Sequence, residues 1–412
     1  MGSREFFRVK RPSEVYPMLD RFGPAGTEET ALDRSLDRVL AEDVFSTADI
    51  PAFDRSTVDG YALKADDTFG ASEGSPVLLV IVGEVMMGMA TETVISHGEV
   101  TVVPTGGMIP QGADAVVMLE FSERVDERTI QIKRPVSPLE NVMEQGEDFK
   151  AGDRVISRGH RLRPQDMGVM AALGKAQVPV YKRPRVAIVS SGDEIVDITA
   201  EPRLGQIRDV NRYTVSGQVE MAGGIPLFVG IAHDSLEKLR SLSEMGLEAG
   251  DMLVISGGSS VGTLDWTIEV IESLPESQIL VHGLSLRPGK PTVIGRSRGK
   301  PIIGLPGHPV SAMVVFDLFI RPLIWRLSGY NGPTWPLGRE VSAILTRNIS
   351  SPPGREDYVR VRLEEREGRI LAHPVLGKSG AISTMVHADG MIRIDIDSEG
   401  LDEGAPVTVL LF

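Results

Sequence analysis

From residue 184 to residue 330 short apolar runs alternate with stretches of helical period, and no other feature constrains the fold as much. RVAIVS is followed by NRYTVSGQVEMAG, PLFVGIA by SLEKLRSLSEM, and DMLVIS by TLDWTIEVIESL. QILVHGL and two further short strands then precede the long helical stretch PVSAMVVFDLFIRPLIWRL. Strands that are apolar throughout are buried on both faces, and strand–helix–strand succession makes them mostly parallel. The expectation is a doubly wound α/β sheet. The last helix, 309–328, is apolar nearly all round, which fits deep burial or a subunit interface.

The flanks read differently. In the first ~45 residues Ser13 is a candidate cap for one helix, and ETALDRSLDRVLAEDV reads as a second at helical spacing. Between ~50 and 140 short β-rich runs (PVLLVIVGEV, GEVTVVPTGG, DAVVML, TIQIKRPV) are broken by Gly and Pro. Residues ~145–182 hold a Gly-rich turn, strand-like DRVIS and a helix around DMGVMAALG. From ~331 the chain returns to β patterning with many turns, as in a small barrel or sandwich. With 412 residues the chain exceeds one ordinary core, so several domains are expected.

Composition narrows the function classes. The formal net charge of −14 argues against a large nucleic-acid footprint, which needs a basic face. There is no cysteine, which removes disulfides, thiolate metal sites and cysteine nucleophiles and suits a reducing cytoplasm. The N-terminus MGSREFFRVK lacks an apolar leader core and no run of 18 apolar residues occurs, so no membrane span is expected.

In a doubly wound sheet, ligands bind beyond the carboxyl ends of the strands. Three segments end strands in that way: VSSGDE (189–194), ISGGSSVGTLD (255–265) and GLPGHPVSA (304–312). Small residues let a ligand approach the backbone, and helix N-termini offer free N–H groups to anions, so the middle loop suits a phosphate. A Gly/Ser loop alone is as readily a tight turn. Glu194 and Asp265 sit on two of the loops. Two carboxylates beside a phosphate suit Mg²⁺, while either one alone also complements a helix dipole.

GSSVG, residues 258–262, matches the G-x-S-x-G nucleophile elbow with Ser260 central, and Asp317 and His373 follow in the order of a serine-hydrolase triad. Gly257 and Gly258 lengthen a turn that an elbow needs tight, so this reading stays remote. In LRPGKPTVIG, Arg287 and Lys290 flank a Pro-Gly turn, as an oxyanion pocket or as a solvated basic turn. Pro309 is placed as a first helical residue, with Ser311 in the same turn beside free N–H groups. In the β region AFDRSTVDGYAL carries Asp54, Arg55 and Asp59, VPTGGMIPQGAD carries Thr105, and EQGEDFKAGD carries Glu147 and Asp148; all read equally as turn chemistry. The seven histidines show no zinc-ligand spacing.

Taken together and in order, FDRSTVDGYAL, PTGGMIPQGADAVV, GEDFKAGD, SSGDEI, DVNR, ISGGSSVGTLDW, RPGKP and GLPGHPVSA resemble the molybdopterin molybdenumtransferase family, that is MoeA and the gephyrin E-domain. The resemblance runs from about residue 30 to the C-terminus. It implies a homodimer of four-domain subunits: an extended domain (1–48 and 146–183), an inserted β domain (49–145), a molybdopterin-binding MogA-like α/β domain (184–330) and a C-terminal β domain (331–412). It implies insertion of molybdate into adenylylated molybdopterin, with Mg²⁺-dependent release of AMP, and a MogA-like adenylyltransferase as a pathway partner. Gephyrin also organises partners, so a non-catalytic molybdopterin-binding or scaffold protein is an alternative.

Carried over by motif, Ser191, Gly192, Asp193, Asp209, Asn211, Ser256, Gly257, Gly258, Ser259, Val261, Gly262, Pro306 and Pro309 would hold molybdopterin. Asp59, Thr105, Asp148, Asp234, Asp265 and Lys290 would serve catalysis, the first three completing the cleft across the dimer. Arg287, Lys290, His308, Ser311, Arg360 and Ser379 would bind molybdate, and Glu194 with Asp265 the Mg²⁺. The family usually has Asn where this chain has His308. That change leaves open molybdate or tungstate, and a housekeeping enzyme or a paralogue. Protonated imidazole donates more strongly to an oxyanion, so binding here is expected to weaken with rising pH.

Overall fold

The structure is a computed structural model, and it describes residues 9–233, 235–257, 263–333 and 340–412, with backbone only for 263–265. Asp234, Gly258, Ser259, Ser260, Val261, Gly262 and the Asp265 side chain lie outside the described residues. The chain separates into two compact units. One comprises the described residues up to Ala41, Gly159–Arg163 and Val178–Phe412; the other is Glu42–Arg158 with Pro164–Gln177.

The first unit is built on the doubly wound sheet. Its strands are β1 Arg185–Ser191, β2 Ile225–Ala232, β3 Met252–Gly257, β4 Gln278–His282, β5 Val293–Ser297 and β6 Lys300–Leu305, in the order β2-β1-β3-β6-β5-β4. β2, β1, β3 and β6 are parallel, and β5 runs antiparallel to both its neighbours. Side chains alternate across the strands, and here they feed two separate cores. Val186 and Ile188 of β1, with Met252 and Val254 of β3, pack on one face. Ala187 and Val189, with Leu253 and Ile255, pack on the other. Helices α1 Asn211–Met221, α4 Pro309–Val315 and α5 Arg321–Leu327 cover the first face; α2 Leu236–Ala249 and α3 Thr263–Ser273 cover the second.

The long apolar stretch is not one continuous α-helix. A π-turn, Phe316–Ile320, separates α4 from α5. Pro322 cannot donate a backbone bond and crowds the carbonyl four residues back, and a widened turn just before it relieves that clash. Phe316, Leu318, Phe319 and Ile320 are fully buried, so the all-round apolar pattern reflects burial within the unit.

Two N-terminal expectations are overturned. Ser13 is inside the helix Pro12–Leu19, not its cap: Pro12 starts the helix, and the Glu14 carboxylate accepts the Arg11 N–H at 2.7 Å. Residues 29–44 form no α-helix. Thr27–Ala31 is a strand paired with Gln177–Tyr181, a single 3₁₀ turn Leu32–Arg34 follows, and Leu40 bridges to Val180. Leu32, Leu36 and Leu40 have helical spacing, but Leu36 is exposed while Leu40 is buried. Long-range backbone pairing outweighs local propensity here.

The C-terminal strands Glu340–Leu345, Glu356–Arg366, Arg369–Pro374, Gly390–Ile394 and Pro406–Leu411 close on one another through the pairing of Glu356–Arg366 with Gly390–Ile394. The result is a barrel filled by Leu345, Val361, Ile392 and Val409. The second unit holds a six-stranded sheet, including Gly60–Leu63, Val77–Glu84, Glu99–Val103 and Ala115–Met118, over a core of Leu63, Leu79, Val100 and Ile130. The helix Pro164–Ala172 belongs to it.

Candidate functional site

β1 is flanked by β2 on one side and by β3 on the other, so the chain's winding reverses beside it, and a crevice opens beyond the strand ends. A cavity of about 660 Å³ lies there. It brings together Gly192, Glu194, Asp209, Asn211, Ser256, Gly257, His308 and Pro309 from the sequence-predicted set. Ser191 and Pro306 are buried at strand ends, and Asp193 is exposed beside Gly192.

Local geometry explains the small residues. Gly257 has φ +121°, and a Cβ there would run into the Ser191 carbonyl oxygen, so only glycine lets β1 and β3 end side by side. The Glu194 carboxylate lies over Gly192, where a Cβ would clash with it. Asn211 Nδ2 donates to Ser256 Oγ at 2.8 Å and to the Gly307 carbonyl at 2.9 Å, tying α1 to the ends of β3 and β6. Asp209 Oδ1 accepts the Arg212 N–H at 3.0 Å in the first turn of α1. Asp209 Oδ2, Asn211 Oδ1 and Ser190 Oγ are buried without a hydrogen-bond partner among the described residues.

The barrel supplies the cationic groups. The short strand Leu286–Arg287 adds in parallel to Glu356–Asp357, which carries the Pro-Gly turn to the barrel. Arg287 Nη1 lies 3.7 Å from the Asp357 carboxylate, which Arg355 approaches at 3.2 Å. Arg360 is 6% exposed and donates to the Gly377 carbonyl at 3.1 Å, and its Nε is buried with no partner among the described residues. Burial, then the Arg287 charge, holds the Arg360 guanidinium below its ordinary value. Two neighbouring guanidiniums, one with an unused donor, have the donor chemistry that anions take.

Ser379 Oγ lies 2.8 Å from His308 Nδ1, and Ser311 is buried in α4. The first turn of α4 is less free than its sequence suggests, because Val310 N–H donates to the Ser379 carbonyl. Lys290 lines a separate cavity of about 430 Å³ with Arg11, Glu14 and Arg355.

In the second unit Asp59 and Thr105 meet. Asp59 Oδ1 accepts the Thr105 N–H at 2.7 Å and its hydroxyl at 3.0 Å. The backbone bond first, then the hydroxyl, holds the Asp59 carboxyl below the usual carboxylate range. Asp148 donates its own N–H to the Ile50 carbonyl, and no hydrogen bond joins it to that pair among the described residues.

The hydrolase alternative loses its partners. Asp317 is buried in the π-turn and held by Arg321 at 2.5 Å and Gln218 at 3.1 Å. His373 is on the barrel, where Glu364 lies 3.0 Å from its Nε2. No hydrogen bond joins Asp317 to His373 among the described residues. Sequence reasoning passed over Ser190, Gly380 and Asp357. Ser190 stands beside the predicted Ser191, and Asp357 lies between two arginines of REDYVR; nothing in the sequence marks Gly380.

Fold and site together define an α/β ligand-binding protein, with a polar crevice at a sheet switch point and an arginine-lined barrel attached. Residues 10–174 match the MoeA N-terminal region (domain I and II), 187–326 the probable molybdopterin binding domain, and 342–412 the MoeA C-terminal region (domain IV). The molybdopterin molybdenumtransferase of Bacillus subtilis is 32% identical over 394 residues, covering 93% of this chain and 90% of that protein. A crystal structure of the molybdopterin biosynthesis MoeA protein from Pyrococcus horikoshii OT3 superposes with TM-score 0.85 at 31% identity, covering 98% of this chain and 100% of that one. Another crystal structure, of a molybdopterin biosynthesis MoeA protein from Pyrococcus horikosii, gives TM-score 0.81 at 38% identity, with 98% of this chain and 99% of that one covered. This chain belongs to the MoeA family. Among the described residues no helix is long and apolar enough to cross a membrane.

Proposed function

We propose that this chain inserts molybdate into adenylylated molybdopterin and releases AMP, as a homodimer in the cytoplasm that receives its substrate from a MogA-like adenylyltransferase. The observation that carries the reading is the Arg287–Arg360 pair, with an unused buried guanidinium donor. Molybdate is a tetrahedral dianion, and planar fixed donors suit its oxygens better than mobile ones. Ser379 and His308 add a hydroxyl and an imidazole on the barrel side, where His308 also borders the crevice proposed for the pterin. Relatives named molybdopterin molybdenumtransferase over nine-tenths of their length support the same activity.

The donor set fits Mg²⁺. That ion is held by one or two carboxylates plus substrate phosphates rather than by an all-protein cage. Glu194 offers an exposed carboxylate at the cavity wall, and no group of three potential ligands occurs among the described residues. Glu194 and Asp265 would hold it, and it would neutralise charge that develops on the adenylate phosphate. In this reading Asp59, ionised by the Thr105 donors, and Asp148 act on the adenylyl group, with Asp234 and Lys290 as further polar groups.

The test is AMP release from adenylylated molybdopterin in the presence of Mg²⁺, with molybdate or tungstate added in turn. Wild type should release AMP in response to one oxyanion, which names the preferred metal. Asp265→Ala and Arg360→Ala should lose that response. Tight pterin binding without release under either oxyanion would replace the enzyme reading by a binding or scaffold role.

A further inference from the structure

Among the described residues, two buried acceptors in the crevice have no donor to satisfy them. Asn211 is 7% exposed, and its amide orientation is fixed, because the Gly307 carbonyl can only accept and takes Nδ2 at 2.9 Å. Oδ1 is therefore an acceptor, and it has no partner. Asp209 is 3% exposed and spends Oδ1 on the Arg212 N–H, which leaves Oδ2 without a partner as well. Both residues line the same cavity. Buried polar atoms are satisfied in native proteins, and unsatisfied ones at a cavity wall point to a ligand.

The ligand group that fits here is not a phosphate. The N-terminus of α1 would attract an anion, but the Asp209 carboxylate already holds that position. Two acceptors from residues two apart call for two adjacent donors on a rigid ligand. We propose that Asp209 Oδ2 and Asn211 Oδ1 read the 2-amino-4-oxo edge of the pterin, accepting its ring N–H and its exocyclic amine. This rests on the pterin-binding reading above and adds an orientation: the pyrimidine end of the substrate lies at the start of α1. It also sets the selectivity of the subsite. Lumazine, with a carbonyl in place of the amine, turns a lone pair toward an acceptor. Adenine has no ring N–H beside its amine, so the adenylyl group is read elsewhere.

Equilibrium binding of pterin and of lumazine to the full chain tests this, with wild type and Asp209→Asn compared. Asn at 209 keeps an oxygen for the Arg212 N–H and replaces the free acceptor by a donor. Wild type should bind pterin at least about 10-fold more tightly than lumazine, and Asp209→Asn should weaken pterin by about 10- to 100-fold with little change in thermal midpoint. Equal binding of the two pteridines by wild type, or unchanged pterin affinity in a folded Asp209→Asn, overturns the edge assignment while leaving the pterin crevice standing. No binding of either compound by wild type overturns both. If Asp209→Asn does not fold, the wild-type pterin-to-lumazine ratio alone decides.

Discussion

His308 Nδ1 lies 2.8 Å from Ser379 Oγ, and the carbonyl of the same serine accepts the Val310 N–H at 3.2 Å. His308 makes no capping bond of its own to α4. The barrel therefore supplies what the N-cap residue does not, taking up an N–H that the helix leaves unpaired. One segment, Lys378–Gly380, thus touches both the helix end and, through the Gly377 carbonyl before it, the Arg360 guanidinium.

Removing the Ser379 hydroxyl should affect the ligand more than the fold. Ser379→Ala keeps the carbonyl that Val310 uses, so stability should fall by under ~1 kcal/mol, while molybdate affinity drops several-fold. His308→Asn restores a good capping side chain and removes the imidazole that meets the Ser379 hydroxyl. The variant should gain roughly 0.5–1 kcal/mol in stability while molybdate affinity falls. An unchanged thermal midpoint from calorimetry would show that the barrel carbonyl alone caps α4.

Arg360→Ala should weaken molybdate binding by roughly 1.5–3 kcal/mol, the range for a charge-assisted hydrogen bond. Arg287 repels Arg360 but also pairs with the buried Asp357 carboxylate, so Arg287→Ala should leave the thermal midpoint of the ligand-free protein nearly unchanged while lowering affinity. Molybdate should raise the midpoint of wild type and not of the double variant. A double variant stabilised by molybdate as strongly as wild type would place the oxyanion elsewhere, with the Lys290 cavity next to be tested.

Much of this was legible from residue order alone, for a physical reason. β1 and β3 are apolar through Val186–Val189 and Met252–Ile255 because both faces are covered, and that signature is local. The Gly-rich strand ends were legible too, since Gly257 answers a steric demand that the next strand imposes. What stayed hidden depends on contacts distant in sequence. Residues 29–44 have leucines at helical spacing, yet pairing with residues near 160 and 180 makes them extended. The repulsion between Arg287 and Arg360 arises only because Leu286–Arg287 joins a barrel strand some 70 residues later. The unpaired oxygens of Asp209 and Asn211 required knowing which bonds their other atoms already make.

Thr105→Ala tests the Asp59 pair. The Asp59 carboxyl sits below the usual range because Thr105 donates to it twice, mainly through its backbone N–H. The variant keeps that N–H, so the carboxyl should rise only part of the way toward its ordinary value, as read by carboxyl NMR titration. The activity of wild type should accordingly be insensitive to Asp59 above about pH 5, where an unperturbed carboxylate is already ionised. Asp59→Asn should lose AMP release throughout. An unshifted Asp59 titration in Thr105→Ala would mean that the hydroxyl contributes nothing and the backbone bond acts alone.

Asp317 gives a stability prediction with an unusual sign. Burial pushes its carboxyl up to about 6 from 3.8, against the opposing pull of Arg321 and Gln218. Between those two values the folded chain keeps a proton that the unfolded chain has released. Stability contributed by this group is therefore fully present below about pH 4 and is lost as pH rises to about 6. The loss has an upper bound of roughly 3 kcal/mol from the size of the shift. Asp317→Asn cannot titrate, so the wild-type advantage over it should shrink across that window and stay level above it. The variant should still be destabilised at neutral pH, because Arg321 loses the carboxylate it is buried against. Urea midpoints at pH 4.5 and 6.5 decide the matter. Parallel shifts in the two proteins would show that Asp317 is ionised throughout, with Arg321 outweighing the cost of burial.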